Sequence, residues 1–173
     1  MNRKAAQFKL SEPAVSIGVL AVILGVGVAA WSAWTCDDAY ISYRYAKNLI
    51  EGHGLVYNLG ERVEGYTNLL WTLWSAVGLA LQIAPDTWSN IWSLLAYGSV
   101  LLLLLSLHLE LRRSLAVTRY TLPVACLAVA LHRECQIYAT GGLETSAFTA
   151  TAFIGYVVLA RGLISGQARP VLC

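Results

Sequence analysis

The chain alternates long apolar runs with short polar islands. Four runs have the length of a membrane-spanning helix, which needs about 20 mostly apolar residues. The first, 14–34, holds no charge and ends in Trp31 and Trp34, at interface spacing. The second, 88–110, is built around the leucines of 101–105. The third, 120–138, is purely apolar only through its early part. To cross, its helix has to continue through His132, Arg133 and Glu134 towards Tyr138. The fourth covers 146–163. A fifth apolar stretch, 69–84, is 16 residues long and carries Trp71 and Trp74. That length suits either a span or a helix lying at the interface.

Charge resolves the fifth stretch. Cytoplasmic loops carry an excess of Lys and Arg. With 69–84 not crossing and the N-terminus inside, Arg3, Lys4, Lys9, Arg112, Arg113, Arg119, Arg161 and Arg169 lie inside. Arg44, Lys47, Arg62 and Arg133 lie outside, a split of eight to four. A crossing at 69–84 inverts that split. The expected order is therefore a first span, an outer loop 35–87 with interfacial helices 39–51 and 69–84, and a second span. An inner loop 111–119, a third span, an outer motif 139–145, a fourth span and an inner tail 164–173 follow. The basic N-terminus before the first run imitates a signal peptide. The run exceeds the roughly 7–15 residues of a signal core, so it reads as an uncleaved anchor.

Composition agrees. Only 13% of the 173 residues are charged and 57% are hydrophobic. Soluble domains carry about 25% charge. A disordered chain, a nucleic-acid-binding domain and a soluble enzyme are excluded. The fold class expected is an all-α polytopic membrane protein with four transmembrane helices.

Seven of the 10 acidic residues fall in two outer islands. In the first, Asp37 and Asp38 follow the first span directly. Such a pair suits a general base or a divalent cation. Equally, Asp38 serves as N-cap of the next helix. The segment 39–51 reads as an amphipathic helix with Ile41, Tyr45 and Leu49 on one face and Ala46 and Ile50 alongside. Arg44, Lys47 and Glu51 line another face, against lipid headgroups or a bound phosphorylated lipid. Gly52 and Gly54 end the helix, and 54–60 reads as an extended piece closed by a turn. The second island runs from His132 through Glu144. Arg133 and Glu134 either face a site, pair with each other or snorkel. Glu144 is placed to suit a helix dipole or a ligand. No soluble-type nucleotide or metal motif occurs. Cys36 and Cys135 both fall at the outer interface, where a disulfide is open to them.

As a string, the first island has Asp37-Asp38 and Arg44 within 37–49. Glu51 and Gly54 follow within 51–58, then Glu64, Tyr66 and Asn68 within 60–68. It resembles the first outer loop of bacterial GT-C glycosyltransferases, above all mycobacterial-type terminal arabinofuranosyltransferases. Gly142-Leu143-Glu144-Thr145 resembles their second motif. Leu69 and Gly141 depart from the pattern, where Pro and Ser are common. The resemblance implies transfer of a sugar, such as arabinofuranose, from a polyprenyl-phosphate donor to a glycan, lipid or protein acceptor. The reaction would take place on the outer face of a bacterial inner membrane. Asp37 and Asp38 would supply the catalytic base and any divalent cation's ligands. Arg44, His53, Arg62, Glu64, Tyr66, Asn68, Arg133 and Glu144 would bind substrate. Relatives of this class are longer, so the chain reads as the N-terminal part of such an enzyme. It would then work with a missing C-terminal part or a second membrane chain. The other reading is a small non-catalytic subunit that assists a multispan partner.

Overall fold

The computed structural model describes residues 12–115 and 120–164. Arg3, Lys4, Lys9, Arg119 and Arg169, which enter the charge split, lie outside the described residues, as does nearly all of the expected tail. Among the described residues there are seven helices and no strand. They are α1 (Pro13–Trp31), α2 (Asp37–Ile50), α3 (Leu69–Ala80), α4 (Pro85–Ser114), α5 (Val124–Leu131), α6 (Arg133–Tyr138) and α7 (Thr145–Ile164).

Two of them, α1 and α4, are long and apolar enough to cross a bilayer. At 1.5 Å per residue α3 reaches only about 18 Å, well short of the roughly 30 Å hydrocarbon core. It ends where Gln82 turns to φ 61° and Ile83 N–H closes back on the Gly78 carbonyl at 3.0 Å. The chain then reverses into Pro85, at the start of α4.

The third expected span is not one helix. The chain enters α5 only after Pro123, and at His132 the backbone is extended (φ −75°, ψ 116°), separating α5 from α6. A helix interrupted between apolar partners must satisfy its freed carbonyls. Here side chains do so. Gln136 Nε2 donates to Ala130 O at 2.7 Å, and Tyr97 Oη donates to Val129 O at 3.1 Å. The fourth apolar run forms α7 within a residue of the expected bounds.

The core lies around α4, which packs on α1, α3, α5 and α7. Leu101, Leu105 and Leu109 are buried against Ala14, Val15, Ala21 and Ala29 of α1 and Cys126 and Ala130 of α5. Small residues permit this approach, as in helix pairs that associate within lipid. A Cβ added at Gly18 would meet Leu105 Cδ1 at 2.3 Å, and one at Gly25 would meet the Ala130 backbone at 3.2 Å. Away from the islands, two ion pairs tie the helix ends: Arg112 to Glu12 and Arg161 to Glu110.

Candidate active site

The first island folds onto α2. Its N-cap is Cys36, with no side-chain cap, so Asp38 is not the N-cap. Asp37 and Asp38 both lie inside the first turn, where negative charge is favoured by the helix dipole. Successive helical residues are about 100° apart, so the two carboxylates leave the helix on different faces. Asp38 shares its face with Ser42, one turn on. Asp37 shares the solvent stripe of Ile41 and Arg44.

One side of α2 is buried against the rest of the chain. It is made of Ala39, Ser42, Tyr43 and Ala46, with Tyr45 beside them. Ile41 and Ile50 are exposed. Ala39, Ser42 and Ala46 are small where α2 packs closely on α3.

That island is gripped by its carbonyls. Gly141 O accepts Cys36 N–H at 3.0 Å. Gly142 O accepts Trp71 Nε1–H at 2.9 Å and Tyr43 Oη–H at 3.3 Å. Trp34 Nε1 donates to Ile137 O at 3.0 Å. Gly142 has φ +84°, and a Cβ there would lie 2.7 Å from Tyr43 Oη and 2.8 Å from Ala39 Cβ. Backbone conformation and space both demand glycine. Burial, with Asp86 and Cys36 adding and Ser89 opposing, pushes the Tyr43 phenol from 10.0 up to about 12. It therefore remains a neutral donor.

Asn68 is the polar hub. Its Oδ1 accepts Ser42 Oγ–H at 2.9 Å and Thr72 Oγ1–H at 3.1 Å, and its Nδ2 donates to Glu144 Oε2 at 2.8 Å. Asn68 and Glu144 stand in the wall of a groove of about 840 Å³ between α3 and α7. The rest of its lining is largely apolar, including Leu69, Trp74, Ala147 and Phe148.

A second grouping lies in the loop after α2. His53, Arg62, Glu64 and Tyr66 line one cavity of about 400 Å³. The stretch 54–60 is not a strand. Its carbonyls go to α2 side chains: Asn48 Nδ2 donates to Val56 O at 2.6 Å, and Arg44 Nε donates to Tyr57 O at 2.8 Å. The Arg44 guanidinium also lies 4.9 Å over the Tyr57 ring. Arg44 therefore fastens the loop. Lys47 pairs with Glu51 at 3.8 Å.

Arg133 is exposed at the start of α6 and lines neither the groove nor this cavity. Arg133 and Glu134 form no ion pair with each other. Glu134 instead lines a small apolar cavity of about 200 Å³ with Tyr97 and Tyr138. Cys36 and Cys135 are free thiols. Among the described residues no group of three His, Cys, Asp or Glu side chains is placed to hold a metal. Asp37 and Asp38 diverge at the positive end of a helix dipole, so the pair does not by itself fit a chelated divalent cation.

Ser42, Tyr43 and Trp71 belong to the site and were not singled out from sequence. Trp71 stands in the apolar stretch 69–84, and nothing local distinguishes Ser42 from a filler residue. Their only advance signal was proximity to the motifs.

Comparison with known proteins bears out the resemblance. The chain is 33% identical over 138 residues to the terminal beta-(1->2)-arabinofuranosyltransferase of Mycobacterium tuberculosis, an alignment covering 76% of the chain. It is 30% identical over 148 residues, 80% of the chain, to the protein of the same name from Corynebacterium glutamicum. In each case it spans 21% of the relative's length. No family model matches the chain. No solved structure matches it.

Proposed function

We propose that this chain forms the outer-face substrate site of a membrane glycosyltransferase. That enzyme moves a pentose such as arabinofuranose from a polyprenyl-phosphate donor to a cell-envelope acceptor. In this reading α1, α4, the broken α5–α6 pair and α7 cross the bacterial inner membrane, and both islands face outwards. The observation that carries it is the Asn68–Glu144 hydrogen bond, which joins the two islands in the wall of a mostly apolar groove. A lipid-linked sugar has the matching shape, a polyhydroxylated head on an apolar tail.

The chemistry follows from position. The acceptor hydroxyl oxygen forms a bond to the anomeric carbon, and the anomeric C–O bond to phosphate breaks. The polyprenyl phosphate leaves with the electron pair of that bond. The hydroxyl proton passes to a carboxylate, and Asp38 is the base because it shares the face of Ser42, which leads to Asn68 and Glu144. Asn68 and Glu144 hold sugar hydroxyls. Arg44, whose Nε is held by Tyr57 O, and Arg133, exposed at the start of α6, are the candidate cations for the departing phosphate.

The test is transfer of labelled arabinofuranose from its polyprenyl phosphate to an arabinan acceptor by membranes carrying the protein. Transfer that depends on Asp38 and Glu144 is expected. Wild-type rates from both Asp38→Asn and Glu144→Gln would overturn the proposal. Co-purification of a multispan partner with both variants tolerated would point instead to a non-catalytic subunit.

A further inference from the structure

Among the described residues, the fully buried hydroxyls of Ser93 and Thr140 have no hydrogen-bond partner. Nor has Asn90 Oδ1, three residues before Ser93 on the same side of α4. None of these residues belongs to the Asp38–Asn68–Glu144 site. We infer that they hold ordered water in a seam between α4 and the second island.

Three observations carry the inference. The first is register. Ser89, Ser93 and Tyr97 follow one another at i, i+4 and i+8, so they share a face of α4. At one end of that face Ser89 reaches the Tyr43 phenol, and Tyr43 donates to Gly142 O. At the other end Tyr97 Oη donates to Val129 O at 3.1 Å and lies 3.5 Å from Ala130 O. The chain from 130 to 142 therefore runs along this face, with Ser93 midway. Thr140 stands on that chain, two residues before Gly142.

The second is chemistry. A hydroxyl carries one donor and two acceptor sites. At 0% exposure neither Ser93 nor Thr140 reaches bulk solvent, and a dry, unpaired hydroxyl is costly. Ser75 solves the same problem within its own helix, donating to Trp71 O at 2.9 Å. Ser93 makes no such bond. Water is the ordinary partner of buried polar groups that the protein leaves over, and a water typically serves about three of them.

The third is access. The short helix α6 packs on α1 and α5. Between it and α4 lies the cavity of about 200 Å³ lined by Tyr97, Val100, Glu134, Cys135 and Tyr138. Tyr97 belongs both to this cavity and to the hydroxyl face. Glu134 and Tyr138 are exposed, so the cavity opens at the surface and gives water a way in. Its walls are apolar, and apolar cavities do not retain water. Water therefore passes through it and rests on Ser93, Asn90 and Thr140. The second island is then fastened to α4 through water, in addition to its direct bonds from α2 and α3. This holds whether or not the chain transfers sugar.

The experiment uses the full chain in lipid nanodiscs. Water–protein cross-relaxation NMR should show a long-lived water at the Thr140 methyl group. The cross-peak should vanish in Ser93→Ala, which keeps the Thr140 hydroxyl. Ser93→Ala and Thr140→Val should each lower the melting temperature by about 2–4 °C. The double variant should fall by less than the sum, because both hydroxyls hold the same water. Dry packing predicts the opposite sign, since an apolar group of similar shape removes an unpaired hydroxyl and melts no lower. A melting temperature unchanged or raised in either single variant overturns the inference, and so do strictly additive losses. A cross-peak absent from the folded wild type, or surviving in Ser93→Ala, overturns it as well.

Discussion

Asn68 donates a 2.8 Å hydrogen bond to Glu144 across 76 positions of sequence. The Glu144 carboxylate can only accept, so the amide nitrogen faces it and Oδ1 is left to accept from the Ser42 and Thr72 hydroxyls. Asn68→Asp replaces the donor with a carboxylate facing Glu144. Sugar transfer should drop at least about a hundredfold, and the fold should lose about 1–3 kcal/mol for the unpaired group. Transfer kinetics and a detergent melt read the two effects separately.

The two adjacent aspartates should not be equivalent. Asp38→Asn should lower transfer by about 10²–10⁴-fold, the span typical of a lost general base. Asp37→Asn, on the outer stripe with Ile41 and Arg44, should stay within a few-fold of wild type. A larger loss from Asp37 in single-turnover assays would reassign the base.

Gly142 has no tolerated replacement. Gly142→Ala puts a methyl group against Tyr43, Ala39 and Thr35 in a left-handed backbone conformation. Strain of this kind costs about 1–3 kcal/mol before any clash is counted. The variant should melt lower, and Asp38 should lose activity with it, because the second island is displaced from α2. Gly27 has no atom near its Cβ position, and Gly27→Ala is the neutral control.

Tyr43 makes the fold sensitive to alkali. Its phenol ionises near 10 in the unfolded chain and near 12 in the folded one. Below pH 10 both states are protonated and the stabilisation is complete. Between pH 10 and 12 the unfolded chain releases its proton first, so stability falls as pH rises. Melts across that window should show the decline in wild type and a flatter profile in Tyr43→Phe.

Gln136→Leu should leave Ala130 O without its 2.7 Å donor. A loss of about 1–2 kcal/mol is expected, measured as a fall in melting temperature. Gln136→Glu should do no better, since a carboxylate cannot donate.

How far the sequence disclosed this arrangement depended on the kind of signal. Helix existence followed from apolar runs, and α7 matched to within a residue at either end. The meeting of the two islands was also readable, because topology put both on one side and the motif string bound them to one chemistry. The break at His132 was not. The sequence showed a polar interruption in an apolar run, and only the positions of Gln136 and Tyr97 explain why an extended residue is tolerated there. Periodicity marked the apolar face of α2, and the contacts that bury its other side, Ala39 and Tyr43 against Gly142, come from far along the chain. Arg44 is expected among the substrate-binding residues by its place in the motif string, and the bond from its Nε to Tyr57 O is a further contact that no residue count along the chain reveals.

The ion pairs Arg112–Glu12 and Arg161–Glu110 join residues 100 and 51 positions apart. Neither pair can form until the later helix has been synthesised. Each glutamate is made first and waits for its arginine, so the Glu12 pair closes only once α4 meets α1 and the Glu110 pair only once α7 meets α4. Glu12→Gln should therefore loosen the finished bundle.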